Sequence, residues 1–403
     1  MKRLTRKLTV FLCVIFTVIL SVSVTAEEPE LDKKIEDTVA GISSLDSATG
    51  MRLADQENFP AGESINDWTA CNLSYGGSKE YYAEYLNALR TYVERKYAEE
   101  GSIHEVKATE YHRIALTVMA LGGDPESFGQ KPDGSPINLI ADGTYNFVGE
   151  NLGLQGLNGW IWALITLNAS GAEVPVDAKY QIQDIVEAIL AGQERDGGFG
   201  LDNGGSDVNI TAMALQALSP YALDHQKEIL NALNWLSLQL NDDCTVGKEN
   251  SSESIAQIIM ALCSLEFDPE EPSMFVRGDH TLLTALDSFR LPDGTYTHSI
   301  DEEKGNSMST CQALEALISL REYHCGAGYV FSQGYNIPNQ NSDPLPDNMS
   351  ESNEKKPIGN SALENEVVVR TKAPGNKLVP ILIILIIVII VLIVIGLHKR
   401  QRK

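Results

Sequence analysis

Five apolar segments recur along this chain, each closing on leucine. They are IALTVMAL at Ile114–Leu121, WIWALITL at Trp160–Leu167, TAMALQAL at Thr211–Leu218, IAQIIMAL at Ile255–Leu262 and TCQALEAL at Thr310–Leu317. The closing leucines lie 44 to 55 residues apart. A period of that size marks stacked helical hairpins, each too small to bury its own apolar face. A helix carrying Ala212, Ala214 and Ala217 beside Met213, Leu215 and Leu218 has almost no polar face, so it must be buried all round. Its small residues let neighbouring helices come close.

Amphipathic segments alternate with these dry ones, at roughly 79–98, 178–193, 223–240 and 279–290. Tyr81, Tyr85, Leu89 and Tyr92 form one apolar stripe, and Ile182, Ile185, Val186 and Ile189 another. A weaker pair at 31–45 and 65–74 brings the count to six hairpins. Dry helices inside and half-wet helices outside predict an all-α fold, an (α/α)6 toroid. No strand-like alternation interrupts the pattern. Asp-Gly pairs at Asp133-Gly134, Asp142-Gly143, Asp196-Gly197 and Asp293-Gly294 read as tight turns between helices.

The ends carry other signals. Residues 1–26 read as a signal peptide, with four positive charges in Met1–Lys7, an apolar run and Val24-Thr25-Ala26 as a cleavage site. The toroid domain is expected over 27–335. Residues 336–377, rich in Asn, Pro, Ser and Glu, read as a disordered stalk. Residues 378–397 hold no charge and are long enough to span a bilayer as a single-pass anchor. Lys399, Arg400, Arg402 and Lys403 then place 398–403 in the cytoplasm and the toroid outside the cell. No Leu-Pro-x-Thr-Gly precedes the apolar run, so a retained anchor is expected rather than sortase processing. The formal net charge of −24 argues against nucleic acid and anionic lipid as partners. Of the cysteines, Cys71, Cys244, Cys263, Cys311 and Cys325 survive signal removal. That odd number argues against a disulfide scaffold and leaves room for one bridge.

Gln193-Glu-Arg-Asp-Gly-Gly-Phe199 resembles the QW repeat of squalene-type cyclases, with Phe in place of Trp. With the TAMALQAL-type segments, the chain resembles the terpenoid cyclase/prenyltransferase α/α-toroid superfamily, in its secreted bacterial surface branch. The resemblance covers about 65–325 and more weakly 31–64. It implies a fold, not a reaction. The cyclase proton donor is the middle Asp of Asp-Val-Asp-Asp-Thr-Ala. Here the matching run is Asp207-Val-Asn209-Ile-Thr-Ala212, and Asn209 cannot serve as the acid. The prenyltransferase zinc ligands include a His in Asp-x-Tyr-His-Thr-Cys. The matching run Asn306-Ser-Met-Ser-Thr-Cys311 puts Ser309 there. Asp242-x-Cys244 with His298 fits a zinc set by letter only and reads as a solvated loop with an exposed His. No metal and no cofactor is therefore expected, and catalysis is left open with the weight against it.

In the superfamily the starts of the inner helices ring one mouth where ligands enter. Thr109, Ser206, Ser252 and Ser307 read as caps of those starts. The candidate ligand site is Tyr145, Trp160, Trp162, Phe199, Asp207, Asn209, Tyr296 and His298: aromatic walls with a few polar groups. The competing reading makes Trp160 and Trp162 core residues and has Phe199 and Tyr296 plug their own turns. Asp142, Glu150, Asp196 and Asp207 are the acids expected near the mouth. Three functions fit. The first is a non-catalytic surface module binding a small molecule, glycan or peptide. The second is a divergent cyclase-like or carbohydrate-active extracellular enzyme, working through Asp196 and Asp207. The third is a structural spacer with a filled centre.

Overall fold

The dry segments continue as helices because no proline interrupts them, and three of the six inner ones also start from a capping side chain. The computed structural model describes residues 30–45, 53–202, 204–247, 251–271 and 274–332. It divides into Met1–Ser342 and Asp343–Lys403, and the second unit lies wholly outside the described residues. So do the expected signal peptide, stalk, anchor and tail. No helix among the described residues is long and apolar enough to cross a membrane.

Twelve α-helices are described. Helix α1 spans 30–44. It is followed by α2 (Ser64–Tyr75), α3 (Tyr82–Glu100), α4 (Ala108–Ala120), α5 (Leu139–Gly143) and α6 (Leu157–Ser170). Then come α7 (Ile182–Ala191), α8 (Val208–Leu218), α9 (Gln226–Ser237), α10 (Ser252–Ser264), α11 (Leu282–Asp287) and α12 (Ser307–His324). Among the described residues pairing of extended backbone is confined to isolated bridges.

The even-numbered helices form a closed cycle. Each packs on the next, α2 on α4, α4 on α6, α6 on α8, α8 on α10 and α10 on α12, and α12 packs back on α2. These are the dry helices. Nearly every residue of α10 and the central turns of α12 are buried. Odd-numbered helices lie against them with one face buried, as Ile185, Val186 and Ile189 do on α7. On this outer layer α1 also meets α11. Lys34 Nζ donates to Asp287 at 2.6 Å, and Arg290 bonds Asp37 at 2.9 Å.

One turn recurs, ahead of α8, α10 and α12 and once ahead of α5. Asp133, Asp196, Asp243 and Asp293 each accept a hydrogen bond at Oδ1 from the amide two residues on. The residue after each Asp has positive φ: Gly134, Gly197, Cys244 and Gly294. Cys244 thus stands in a glycine's place, at φ 63. In two copies the turn is stitched to the next helix. Thr211 Oγ1 receives the amide of Phe199 at 2.8 Å, and Thr310 Oγ1 that of Tyr296 at 3.0 Å. Gln193 Nε2 donates to the carbonyls of Gly197 and Glu228. Gln193, Asp196, Gly197 and Phe199 of the QW-like run are therefore turn staples.

Several expectations are corrected. Asp142-Gly143 is the end of α5, not a turn. A short outer helix α5 completes the third hairpin, where the sequence showed no amphipathic stripe. All four expected caps are displaced. The N-caps of α8, α10 and α12 are Asp207, Ser251 and Asn306, each accepting the N3 amide, and Lys107 precedes α4 without a side-chain cap. Ser206 instead donates to Asp196 at 2.6 Å, and Thr109 to Gln155 at 2.9 Å. Cys71, Cys244, Cys263 and Cys311 are free, buried thiols.

Candidate ligand-binding cavity

A ring of helices pointing the same way brings their first turns together. Those turns enclose a cavity of about 560 Å³. Every inner helix contributes: Ser64, Ile65 and Trp68 from α2, Thr109, Glu110 and Arg113 from α4, and Asn158 and Trp162 from α6. Asn209 and Met213 come from α8, Glu253 and Gln257 from α10, and Met308, Cys311, Gln312 and Glu315 from α12. Ser251 and His298 add to the rim. Every set contains a pair three or four residues apart, which keeps those side chains on one helix face. The third position of four apolar repeats, Trp162, Met213, Gln257 and Gln312, faces this space.

Behind Trp68 and Trp162 packs a buried segment of chain. Segment 329–331 is buried, and Val330 donates its amide to Ser319 at 3.2 Å. Phe331 sits 5.9 Å from Trp162, 6.3 Å from Trp68 and 6.1 Å from Tyr75, between ring centroids. Tilted and edge-on aromatic pairs of this kind contribute about 0.5–1.5 kcal/mol each.

Three polar assemblies edge the cavity. Arg113 is buried and bonded at every nitrogen. Its Nε donates to Asp67 at 2.9 Å, one terminal nitrogen to the Gly62 carbonyl at 3.0 Å, and the other pairs with Glu110 at 2.8 Å. Asp67 also accepts from Tyr85 Oη at 2.7 Å and from the Gly62 amide at 3.0 Å. Burial pushes the Asp67 carboxyl up, and the charge of Arg113 opposes that shift. At the rim, Glu253 binds His298 Nδ1 at 2.9 Å through one oxygen and receives Ser309 Oγ at 2.6 Å on the other. Deeper down, Asn72 Nδ2 donates to Glu315 Oε1 at 2.8 Å. Burial raises the Glu315 carboxyl to about 7, a shift that Asn72 only partly counters.

The expected site is brought together only in part. Trp162, Asn209 and His298 line the cavity. The Oδ1 of Asn209 is buried with no partner. Asp207 is exposed and caps α8 through the Ile210 amide at 2.9 Å. Phe199 and Tyr296 are wholly buried behind their turns. Trp160 stacks edge-on against Tyr180 at 5.1 Å, away from the cavity lining. Tyr145 belongs to a separate recess of about 690 Å³ with Asn138 and Gly171.

None of the four expected acids reaches the cavity. Asp142 is held by Lys131 at 3.0 Å and by Tyr97 Oη at 2.6 Å, and Glu150 is exposed. Asp196 receives Ser206, the Gly198 amide and Trp235 Nε1. Those bonds, with Ser206 foremost, hold its carboxyl below the usual range. Asp196 and Asp207 are therefore corrected from candidate catalysts to a turn staple and a cap. The acids actually lining the cavity are Glu110, Glu253 and Glu315, which sequence reasoning passed over. Glu315 could have been found, because a carboxylate inside TCQALEAL interrupts an otherwise dry helix. Cys244 is buried, not in a solvated loop, and donates to the His280 carbonyl at 3.1 Å. Among the described residues no group of three or more His, Cys, Asp or Glu could hold a metal ion.

No family model matches this chain, and no curated protein matches it. Among solved structures it is similar to Candida albicans protein geranylgeranyltransferase-I complexed with GGPP. The two share 12% identity at a TM-score of 0.45, over 72% of this chain and 91% of that one.

Proposed function

We propose that this protein is a ligand-binding module, displayed outside the cell on a membrane anchor at 378–397, which holds a small molecule in its central cavity. The observation that carries the reading is the open ring centre. Six first turns converge on it, and two amide oxygens in its lining, Asn158 Oδ1 and Asn209 Oδ1, are buried without partners. Such oxygens are costly unless something bonds them. An open centre also counts against the spacer reading, which requires one filled by side chains.

The test is a thermal-shift panel of corrinoids, isoprenoids, glycans and peptides on the full chain. Binding to the native state raises its midpoint. At least one class is expected to do so, and Trp162→Ala is expected to remove the shift. A panel that stabilises nothing counts against the module.

The extracellular-enzyme reading is favoured by one observation. Glu253 fixes His298 through Nδ1, and the imidazole is half exposed at the rim, an arrangement suited to a general base. Turnover that is lost in His298→Ala, with unchanged melting, is its signature.

A further inference from the structure

We propose that the ligand of the central cavity is an organic cation, with the Glu315 carboxylate as its counter-ion and the faces of Trp68 and Trp162 as its walls. This rests on the cavity being a binding site, and it names the class of ligand.

Charge is the first argument. The lining holds Glu110, Glu253 and Glu315, and its only guanidinium is Arg113. That guanidinium is 4% exposed and fully engaged by Asp67, Glu110 and the Gly62 carbonyl. No lysine lines the cavity. His298 is bound to Glu253. An anionic ligand would therefore meet carboxylates and no free cation.

Glu315 supplies the second argument. It is 5% exposed, and Asn72 satisfies Oε1. Oε2 receives no hydrogen bond from any described residue, although the side chain lines the cavity. Glu253, by contrast, has both oxygens occupied. A nearly buried carboxyl with one oxygen left for the cavity is costly unless a ligand completes it. The adjacent thiols cannot share its charge. Burial, with the Glu315 charge adding to it, keeps Cys71 protonated and pushes Cys311 up to about 12.

The aromatic walls are the third. The amide nitrogen of Asn72 that holds Glu315 also donates to the carbonyl of Trp68, one turn back on α2. The carboxyl is thereby tied, through Asn72, to the main chain of Trp68. Trp68 and Trp162 lie 5.5 Å apart at a 52° tilt, both half-buried and both lining the cavity. Two indoles and a carboxylate lining one cavity suit an ammonium group, which gains cation–π contact and ion pairing together.

The experiment is calorimetric titration of the full chain in detergent at pH 8. The probes are choline, phenethylammonium and spermidine, with 3,3-dimethylbutan-1-ol as the uncharged isostere of choline. At least one cation is expected to bind, and choline at least 10-fold more tightly than its isostere. Glu315→Gln should weaken cation binding at least 10-fold, and Trp162→Leu several-fold, with cooperative melting retained in both. Equal binding of choline and its isostere overturns the cation class, as does cation affinity unchanged in Glu315→Gln. A neutral or anionic member of the thermal-shift panel bound in the cavity while all three cations fail overturns it too, and leaves the binding module standing. Failure of every ligand in both experiments removes the two readings together.

Discussion

Asp67 and Glu315 are both carboxyls buried within the ring, one on α2 and the other on α12. Asp67 is surrounded by donors: Arg113, Tyr85 and the Gly62 amide. Glu315 has Asn72 alone. Burial raises both, but at Asp67 a fixed guanidinium acts against it, while at Glu315 nothing charged does. The first carboxyl ties α2, α3 and α4 together. The second is left incomplete on the side that faces the cavity. The number of donors around a buried acid thus separates a structural part from a part that awaits a ligand.

The comparison breaks most visibly at Asp67. Asp67→Ala leaves Arg113 buried with one carboxylate fewer and Tyr85 Oη without its acceptor. A loss of about 3–5 kcal/mol is expected in urea unfolding. A loss under about 1 kcal/mol would show that the assembly is not structural.

Glu315→Gln should act in the opposite direction. The Glu315 carboxyl titrates at about 7 in the fold, above the ordinary glutamate value of 4.5. Its contribution to stability is therefore fully present below about 4.5 and is lost as pH rises through about 7. At pH 8 the glutamine variant should be the more stable protein, by on the order of 3 kcal/mol. At pH 4 the two should nearly coincide. Paired urea melts at the two pH values decide the matter, and a gap that does not grow with pH would contradict the assignment.

The smallest effects come from two neighbours on α8 that repeat the contrast. Asp207→Ala removes the cap on Ile210 and should cost about 1 kcal/mol. Asn209→Ala removes a buried oxygen that has no partner, so it should not destabilise the fold and should gain up to about 1 kcal/mol in the absence of ligand. Thermal unfolding of the two variants side by side checks the order.

Much of the architecture was legible because it rests on periodicity. The alternation of dry and half-wet segments located eleven of the twelve described helices. Helix α5 was missed because its five residues are too few to show a period. The displaced caps have a simple origin: Asp207 and Ser206 are both good caps by type, and only the path of the turn selects between them. The site was less legible. Trp162, Asn209 and His298 were reached by following one mouth of the ring. Asp196 and Asp207 were misread because acids beside a glycine turn look chemical until their hydrogen bonds are counted. Phe199 and Tyr296 look like pocket walls in sequence, but Thr211 and Thr310 hold their backbones inside the turn. Glu110 and Glu253 gave no signal, since acids in the first turn of a helix are ordinary.

The return of α12 onto α2 has a consequence for how the molecule comes apart. A linear array of hairpins has two terminal units with one neighbour each, and it loosens from those ends. Here the first and last inner helices are each other's neighbours, so the array has no terminal unit. Loosening any one hairpin must break its contacts on both sides, and closing the ring requires residues some 240 positions apart, such as Asn72 and Glu315, to meet. Closing over so long a stretch of chain carries a large loop entropy. The two surfaces that meet at this closure bear the candidate counter-ion and a tryptophan of the cavity lining, so a ligand gripping Trp68 and Glu315 would also act as the clasp of the ring.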